Sequence, residues 1–493
     1  MKTNVHALAL AVLGATLGSV SAQNVQQASA SPAPAPALST TEQMIKDIKN
    51  PVPWLSWGAD LRIRDEYFNN LLTLNQGAAM HEQDYMRFRG RLWLSLMPVE
   101  NVSVNARIVD ETREWWEKAG YTPYRYDPNP PTTPKQTGRR GYDWREGIID
   151  SLNAEYKNVA GLPVSAKVGR QDLFIGDGWL MADGTPIDGS WTYFLDSARV
   201  TWDLKEQETV LDGIGIIQSA HDNAWLPTIN PNNLLLTEQN EKGCYFQAIN
   251  NSFDGITLTP FFVYKHDSKV AANGDNADMY TIGGRINGLV ADNWKYWVEG
   301  AYQCGRKADT TIKYPVATAG SSEYRTLDAY GFNSKLTYLF KDHYNNTLGL
   351  CFEMLSGDDP KTGNDEMFDV LWGRWPHWSE VGLYSYAAET RVGQQANHIR
   401  FGPTYTVTPL KDLDFSASYY ALWGIAEIPT REASPTLFSH DGNFRGHFLQ
   451  GILKYKFSAH VNGHLWSELL FPNDYYANHQ LISWVRAELM FTF

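Results

Sequence analysis

From Ser56 to Phe493 apolar and polar residues alternate in segments of roughly 9–15 residues, and the links between them are by turns short and long. In QDYMRFRGRLWLSLMP, Met86, Phe88, Gly90, Leu92, Leu94 and Leu96 share one face, while Tyr85, Arg87, Arg89, Arg91, Trp93 and Ser95 share the other. The carboxyl end, LISWVRAELMFTF, keeps the same alternation to its final residue, Phe493. About eighteen such segments are legible, from 56–68 to 480–493, including 145–158, 164–173, 190–204 and 210–222. PVE, KNVAGLP, KEQET, NSFD, ADN, KDH and LK are short enough to close hairpins, whereas stretches such as 115–144 and 357–397 are long.

A soluble sandwich has no reason to alternate its links in this way. A membrane-spanning barrel does, because its periplasmic turns are short and its external loops long. Closure follows from the medium, since lipid offers no hydrogen-bond partner to a sheet edge. The expected fold is therefore all-β: a transmembrane antiparallel β-barrel of about eighteen strands, residues 56–493, in the bacterial outer membrane. Tyr, Phe and Trp number 26, 21 and 18, yet mean hydropathy is only −0.38, so the aromatics belong to strands and not to apolar helices. Trp57, Trp202, Trp294, Tyr296, Tyr338, Phe457 and Phe471 are candidates for interfacial girdles. Pro260 and Pro403 fall inside expected strands and call for bulges or strand ends; Asp196 falls on an outward face, where a carboxylate is out of place.

Residues 1–22 read as a secretory leader, with Lys2, an apolar run from Ala7 to Val20 and a small-residue cleavage site ending at Ala22. Residues 23–55 form an Ala/Pro-rich periplasmic linker with a short helix in TTEQMIKDIKN. The net charge of −13 argues against nucleic acid as a partner. Cys244, Cys304 and Cys351 are too few and too scattered for a disulfide framework or a zinc site, and no cofactor motif is present. The expected partners are outer-membrane lipid, the barrel-assembly machinery acting on the strand that ends in Phe493, and an anionic carbohydrate or small anion in the lumen.

On the faces assigned to the lumen, basic residues outnumber acidic ones, which leaves the chain's negative excess to loops such as SGDDPKTGNDEMFD, expected to be solvated. Arg62, Arg64, Arg87, Arg89, Arg91 and Arg107 cluster on three successive strands, with Arg170, Arg199, Arg285, Arg400, Glu299 and Glu353 as further lumen candidates. Clustered arginines repel one another, are tolerable in a wet channel, and grip carboxylates bidentately. An alternative is that they pair with Asp60, Glu66, Glu111 and Glu155 as a structural network, and both readings stay open. Trp115, Trp116 and the stretch Trp372 to Trp378 either stack sugars or fold into the mouth as a plug.

Three stretches resemble the alginate-export family of outer-membrane barrels: KVGRQDLFIGDGW with Gly169-Arg170-Gln171, ARVTW, and SGDDPKTGNDEMFDVLWGRWPHWSE. The resemblance implies an eighteen-stranded barrel with a basic conduit for an anionic polysaccharide, in which Arg89 or Arg91, Arg170 and Arg199 match the arginines of the wall. The chain departs from that pattern at Asp172, where the alginate exporter carries arginine, and in REGIIDSLNAEYKN, which lacks its Arg-Glu pair. A competing class is a secreted or surface glycan-acting enzyme or lectin-like protein using a carboxyl pair among Glu299, Glu353 and Glu468. No catalytic motif supports it.

Overall fold

The structure is a computed structural model that describes residues 40–493 apart from 72–73, 75, 78–80, 117–141, 145–146, 183–194, 222–225, 227–235, 272–273, 310–323, 360–361, 375–376, 383–394 and 427–436. The leader and most of the linker therefore lie outside the described residues. The helix expected near the end of the linker is α1 (Thr40–Lys49), anchored where Trp57 donates its indole N–H to the Ile48 carbonyl.

The strands, in chain order, are β1 (Leu55–Asn69), β2 (Glu82–Val99), β3 (Val102–Trp115), β4 (Tyr142–Trp144), β5 (Ile148–Tyr156), β6 (Val164–Arg170), β7 (Asp196–Leu204), β8 (Thr209–Gln218), β9 (Gln239–Phe253) and β10 (Ile256–Lys269). They continue as β11 (Asp275–Val290), β12 (Trp294–Asp309), β13 (Arg325–Leu339), β14 (Thr347–Leu355), β15 (His398–Leu410), β16 (Leu413–Trp423), β17 (Phe444–Lys456), β18 (Val461–Pro472) and β19 (Ile482–Thr492). Each pairs antiparallel with its chain neighbours, and β19 returns to β1. β4 and β5 both pair with β3, so nineteen segments fill eighteen positions of one closed ring. The strand read at 145–158 is β5, preceded by the separate three-residue β4, and β5 bulges where Arg107 faces Ser151 but Ile108 faces Ile149. The bulge leaves Asp150 as the extra residue, able to turn toward Arg107.

Closure uses the last residue. The seam runs from Asp60 opposite Thr492 to Asn69 opposite Ser483, and Phe493 and Ala59 exchange backbone hydrogen bonds of 2.8 and 3.2 Å. The Phe493 ring lies 5.1 Å from that of Trp57. Short periplasmic turns need left-handed backbone, supplied by Asn101 and by the consecutive Ala291 and Asp292. Pro260 and Pro403 correct the expectation of bulges. Each stays paired on one side, with Gly284 and Leu350, while two ladder pairs are missing on the other with no shift of register. The strand runs through, and the missing N–H leaves a gap in the ladder.

Outward positions such as Leu61, Leu92, Val200, Ile282, Leu336, Phe401, Val485 and Phe491 are exposed and apolar, as a lipid-facing wall requires. Trp202, Trp294, Phe457 and Phe471 are exposed as well, and Trp294 contacts Tyr338 at 4.9 Å.

Inside, two external loops fold back into the barrel. The loop after β6 carries Leu173, Trp179, Leu180 and Met181 into contact with Phe368, Val370, Leu371 and Trp372 from the loop after β14. Around them the wall is apolar: Ile214, Ile216, Tyr245, Val263, Met279 and Leu327 are buried here on inward positions. Gly243 and Gly331 make room, because a Cβ would come within 2.9 Å of the Trp372 ring at the first, and within 2.8 Å of Phe368 and 2.9 Å of Trp179 at the second.

Candidate functional site

β19, β1, β2 and β3 are neighbours in the ring, so their alternate residues make one inward patch. Arg62, Arg64, Arg87, Arg89, Arg91 and Arg113 meet there with Arg486, as the alternation of these strands predicts. Their carboxylate partners stand on the same strands. Arg91 reaches Asp60 at 2.5 Å, and Arg89 approaches the same carboxylate at 3.6 Å. Arg87 bridges Glu66 and Glu111, both at 3.1 Å, and Arg113 holds Glu111 at 2.8 Å. Arg62 lies 3.8 Å from Glu488, to which Arg64 donates directly.

The pairing with Asp60, Glu66 and Glu111 is the network weighed from sequence. Glu155 does not join it, lying instead 3.9 Å from Lys157. Arg107 binds Asp150 at 2.8 Å and Asp172 at 2.7 Å. Neither partner was singled out from sequence as its mate: Asp150 is the bulged residue, and Asp172 stands in the loop after β6.

The other candidates stand apart. Arg199 pairs with Asp212 across β7 and β8 at 2.8 Å. Asp212 escaped the sequence reading because Ile214 and Ile216 share its face and make it look lipid-facing. Arg170, next to the left-handed Gly169, donates to Asp196 at 2.9 Å and to the Ile149 carbonyl at 2.9 Å. This accounts for the misplaced carboxylate, and it commits Arg170 to a strand-end ion pair. Arg285 holds Glu299 at 3.3 Å beside the Trp297 ring, and Arg400 holds Glu353 at 3.0 Å beneath the Trp378 ring at 4.4 Å.

The loop after β14 crosses the lumen. Asp358 and Asp365 bind Arg325 at 3.1 Å each, at the start of β13. Asp369 then reaches Lys265 and Lys307, both at 3.6 Å, and Arg374 reaches Glu238 at 3.2 Å. Asp358, Asp365 and Asp369 are buried, so the acidic stretch is not the solvated loop that its composition implies. On the far wall, Glu468 accepts from the Ser379 hydroxyl at 2.8 Å and the Val381 N–H at 2.7 Å, and Arg486 holds Glu380 at 2.7 Å. β10 and β19 lie half-way round the ring from each other, so this strap spans the lumen. The Trp-rich stretch is therefore part of an internal strap, with Trp372 fully buried.

The loop after β6 also reaches across, where Asp177 accepts from Lys335 at 2.6 Å and from Asn333 at 3.0 Å. Burial alone would raise the Asp177 carboxyl, but Lys335 and Asn333 hold it below its ordinary value. Where the two loops approach the wall, a small cavity remains, lined by Asp177, Asn333, Lys335, Glu353, Trp378 and Arg400 among others.

The carboxyls proposed for glycoside chemistry are each engaged by other groups. Glu299 and Glu353 are each bound by an arginine, and Glu468 caps the strap. Among the described residues, no group of three or more His, Cys, Asp or Glu side chains is placed to hold a metal ion.

Solved structures with this fold include OccAB2 of Acinetobacter baumannii (TM-score 0.52), a BenF-like porin of Pseudomonas fluorescens Pf-5 (0.52) and OccK8 (OprE) of Pseudomonas aeruginosa (0.51). Each is 10% identical over 89% of this chain and 98% of its own, so the likeness is one of fold. Among curated proteins none matches in sequence. The family described as alginate export matches residues 53–481, nearly the whole barrel. The chain therefore belongs to the alginate export family, as a closed β-barrel channel of the bacterial outer membrane.

Proposed function

We propose that the channel passes anionic carbohydrate, either acidic sugars and oligosaccharides or an acidic polysaccharide on its way out. One observation carries the reading. At Arg87, Arg91 and Arg199 of the inward arginine face, the cation is the partner nearer water. Side-chain exposure is 14% for Arg91 against 3% for Asp60, 10% for Arg87 against 1% for Glu66, and 33% for Arg199 against 1% for Asp212. At these three positions a more deeply buried carboxylate holds a guanidinium group that keeps contact with water. Such a wall offers an anion bidentate contacts without the cost of an unpaired arginine array.

Family and fold are those of a channel and not of an enzyme. The strand ending in Phe493 serves as the handle for the barrel-assembly machinery, a role supported by its exposed Val485 and Phe491 and its place at the seam. Swelling of liposomes containing the purified barrel tests the substrate class. D-glucuronate is expected to enter faster than glucose, and equal or slower entry contradicts an anion-adapted lumen.

A further inference from the structure

On the face between β19 and β3, the pair joined by the strap has its carboxylate as the partner nearer water. Arg486 is fully buried, whereas the side chain of Glu380 keeps 13% exposure. Glu380 approaches from the strap on the lumen side, while Asp60, Glu66, Glu111 and Glu488, the other described carboxylates of this cluster, are fixed in wall strands. The guanidinium it meets is built to hold a carboxylate. Arg486 lies 4.6 Å from the Trp484 ring and 5.5 Å from that of Trp466, and its Nε donates to Glu66 at 2.6 Å. Aromatic faces and the Glu66 bond fix the plane of the group, so Nη2 points one donor at Glu380.

We propose that Arg486, framed by Trp466 and Trp484, is a carboxylate-binding site of the lumen that the chain's own Glu380 occupies, and that a carboxylated sugar binds there by displacing it. The proposal rests on the anion reading above and adds the place where a carboxylate docks and the group it must compete with. The strap gives the competition its form. Glu380 is tethered, so its effective concentration at Arg486 is high, and a free ligand must exceed it before the site exchanges. The neighbouring Ser379 and Val381 are held by Glu468 independently, so removing the Glu380 charge leaves the strap attached at that point.

The test uses wild-type barrel and the Glu380→Gln variant, each confirmed folded by heat-modifiable mobility, in planar bilayers. Current interruptions are counted as D-glucuronate is added, with glucose as the neutral control. The half-blocking concentration of D-glucuronate is expected to fall by at least about tenfold in E380Q, the worth of one charge-assisted hydrogen bond, with no response to glucose in either protein. Glu380→Ala, which removes the acceptor altogether, is expected to move at least as far. Equal half-blocking concentrations in wild type and both variants overturn the tethered-carboxylate proposal while leaving the anion reading intact. A wild-type current indifferent to D-glucuronate removes the anion reading itself, and this proposal with it.

Discussion

Asp369 is the point where the strap can be loosened with the least damage to the wall. It lies 3.6 Å from both Lys265 and Lys307, accepts from the Leu371 N–H at 2.7 Å, and is 1% exposed. At that distance and an effective dielectric near 20, each attraction is about 4–5 kcal/mol before desolvation. Burying the carboxylate takes back several kcal/mol. The lysines lose little when it goes, because Asp267 at 3.2 Å, Glu241 at 3.3 Å and Asp275 at 3.2 Å still hold them. Asp369→Asn keeps the shape and the acceptor for Leu371, so the net weakening of strap docking is about 2–3 kcal/mol, a factor of about 30–150 in the undocked population.

The assay is single-channel recording, where undocking of a strap that spans the lumen registers as transitions to a larger conductance. Such transitions are expected to be about 30–150 times more frequent in D369N than in wild type. Limited proteolysis of the loop after β14 supplies an independent readout and is expected to accelerate with them. A variant with wild-type conductance, wild-type noise and wild-type cleavage refutes the idea that this charge holds the strap in the lumen.

Other consequences are equally open to measurement. The Asp177 carboxylate is held below its ordinary value of 3.8, so its contribution to docking is present above that value and is lost as pH falls through the depressed one. The loop after β6 is accordingly expected to stay docked from neutral pH down to about pH 4 and to loosen only in stronger acid, a transition absent from Asp177→Asn in pH-stepped bilayer recordings. Gly331→Ala places a methyl against the stacked Trp179 and Phe368 rings, whose centroids are 5.6 Å apart, and is expected to cost about 1–3 kcal/mol, seen as faster proteolysis of the internal loops. Deleting Phe493 removes two ladder bonds to Ala59 and the ring contact with Trp57, a loss of about 2–4 kcal/mol at the seam. The folded, heat-modifiable band is expected to shrink on gels, while the unfolded band grows.

The wall was readable because alternation reports the media on its two faces. Leu61 and Val485 look outward, and Arg62 and Arg486 inward, wherever lipid lies on one side and polar groups on the other. The rule weakens where the strap replaces water. Ile214, Ile216 and Val263 are inward and apolar because folded-in loops pack against them, and Asp212 was lost in that company. Composition misled in the same place: Asp358, Asp365 and Asp369 read as a solvated acidic loop, but their partners Arg325, Lys265 and Lys307 come from strands distant in sequence. A bulge hid Asp150 from the face count, since one extra residue reverses the parity on which the count depends. The arginine patch itself was legible from alternation alone, whereas the carboxylate that the strap brings to Arg486 was not.

The most direct test of a basic-faced conduit is the reversal potential of the wild-type barrel under a potassium chloride gradient. The structure predicts a shift to the chloride side, which high salt reduces by screening the arginine face. A reversal potential on the potassium side, or a folded barrel that passes no current, contradicts it.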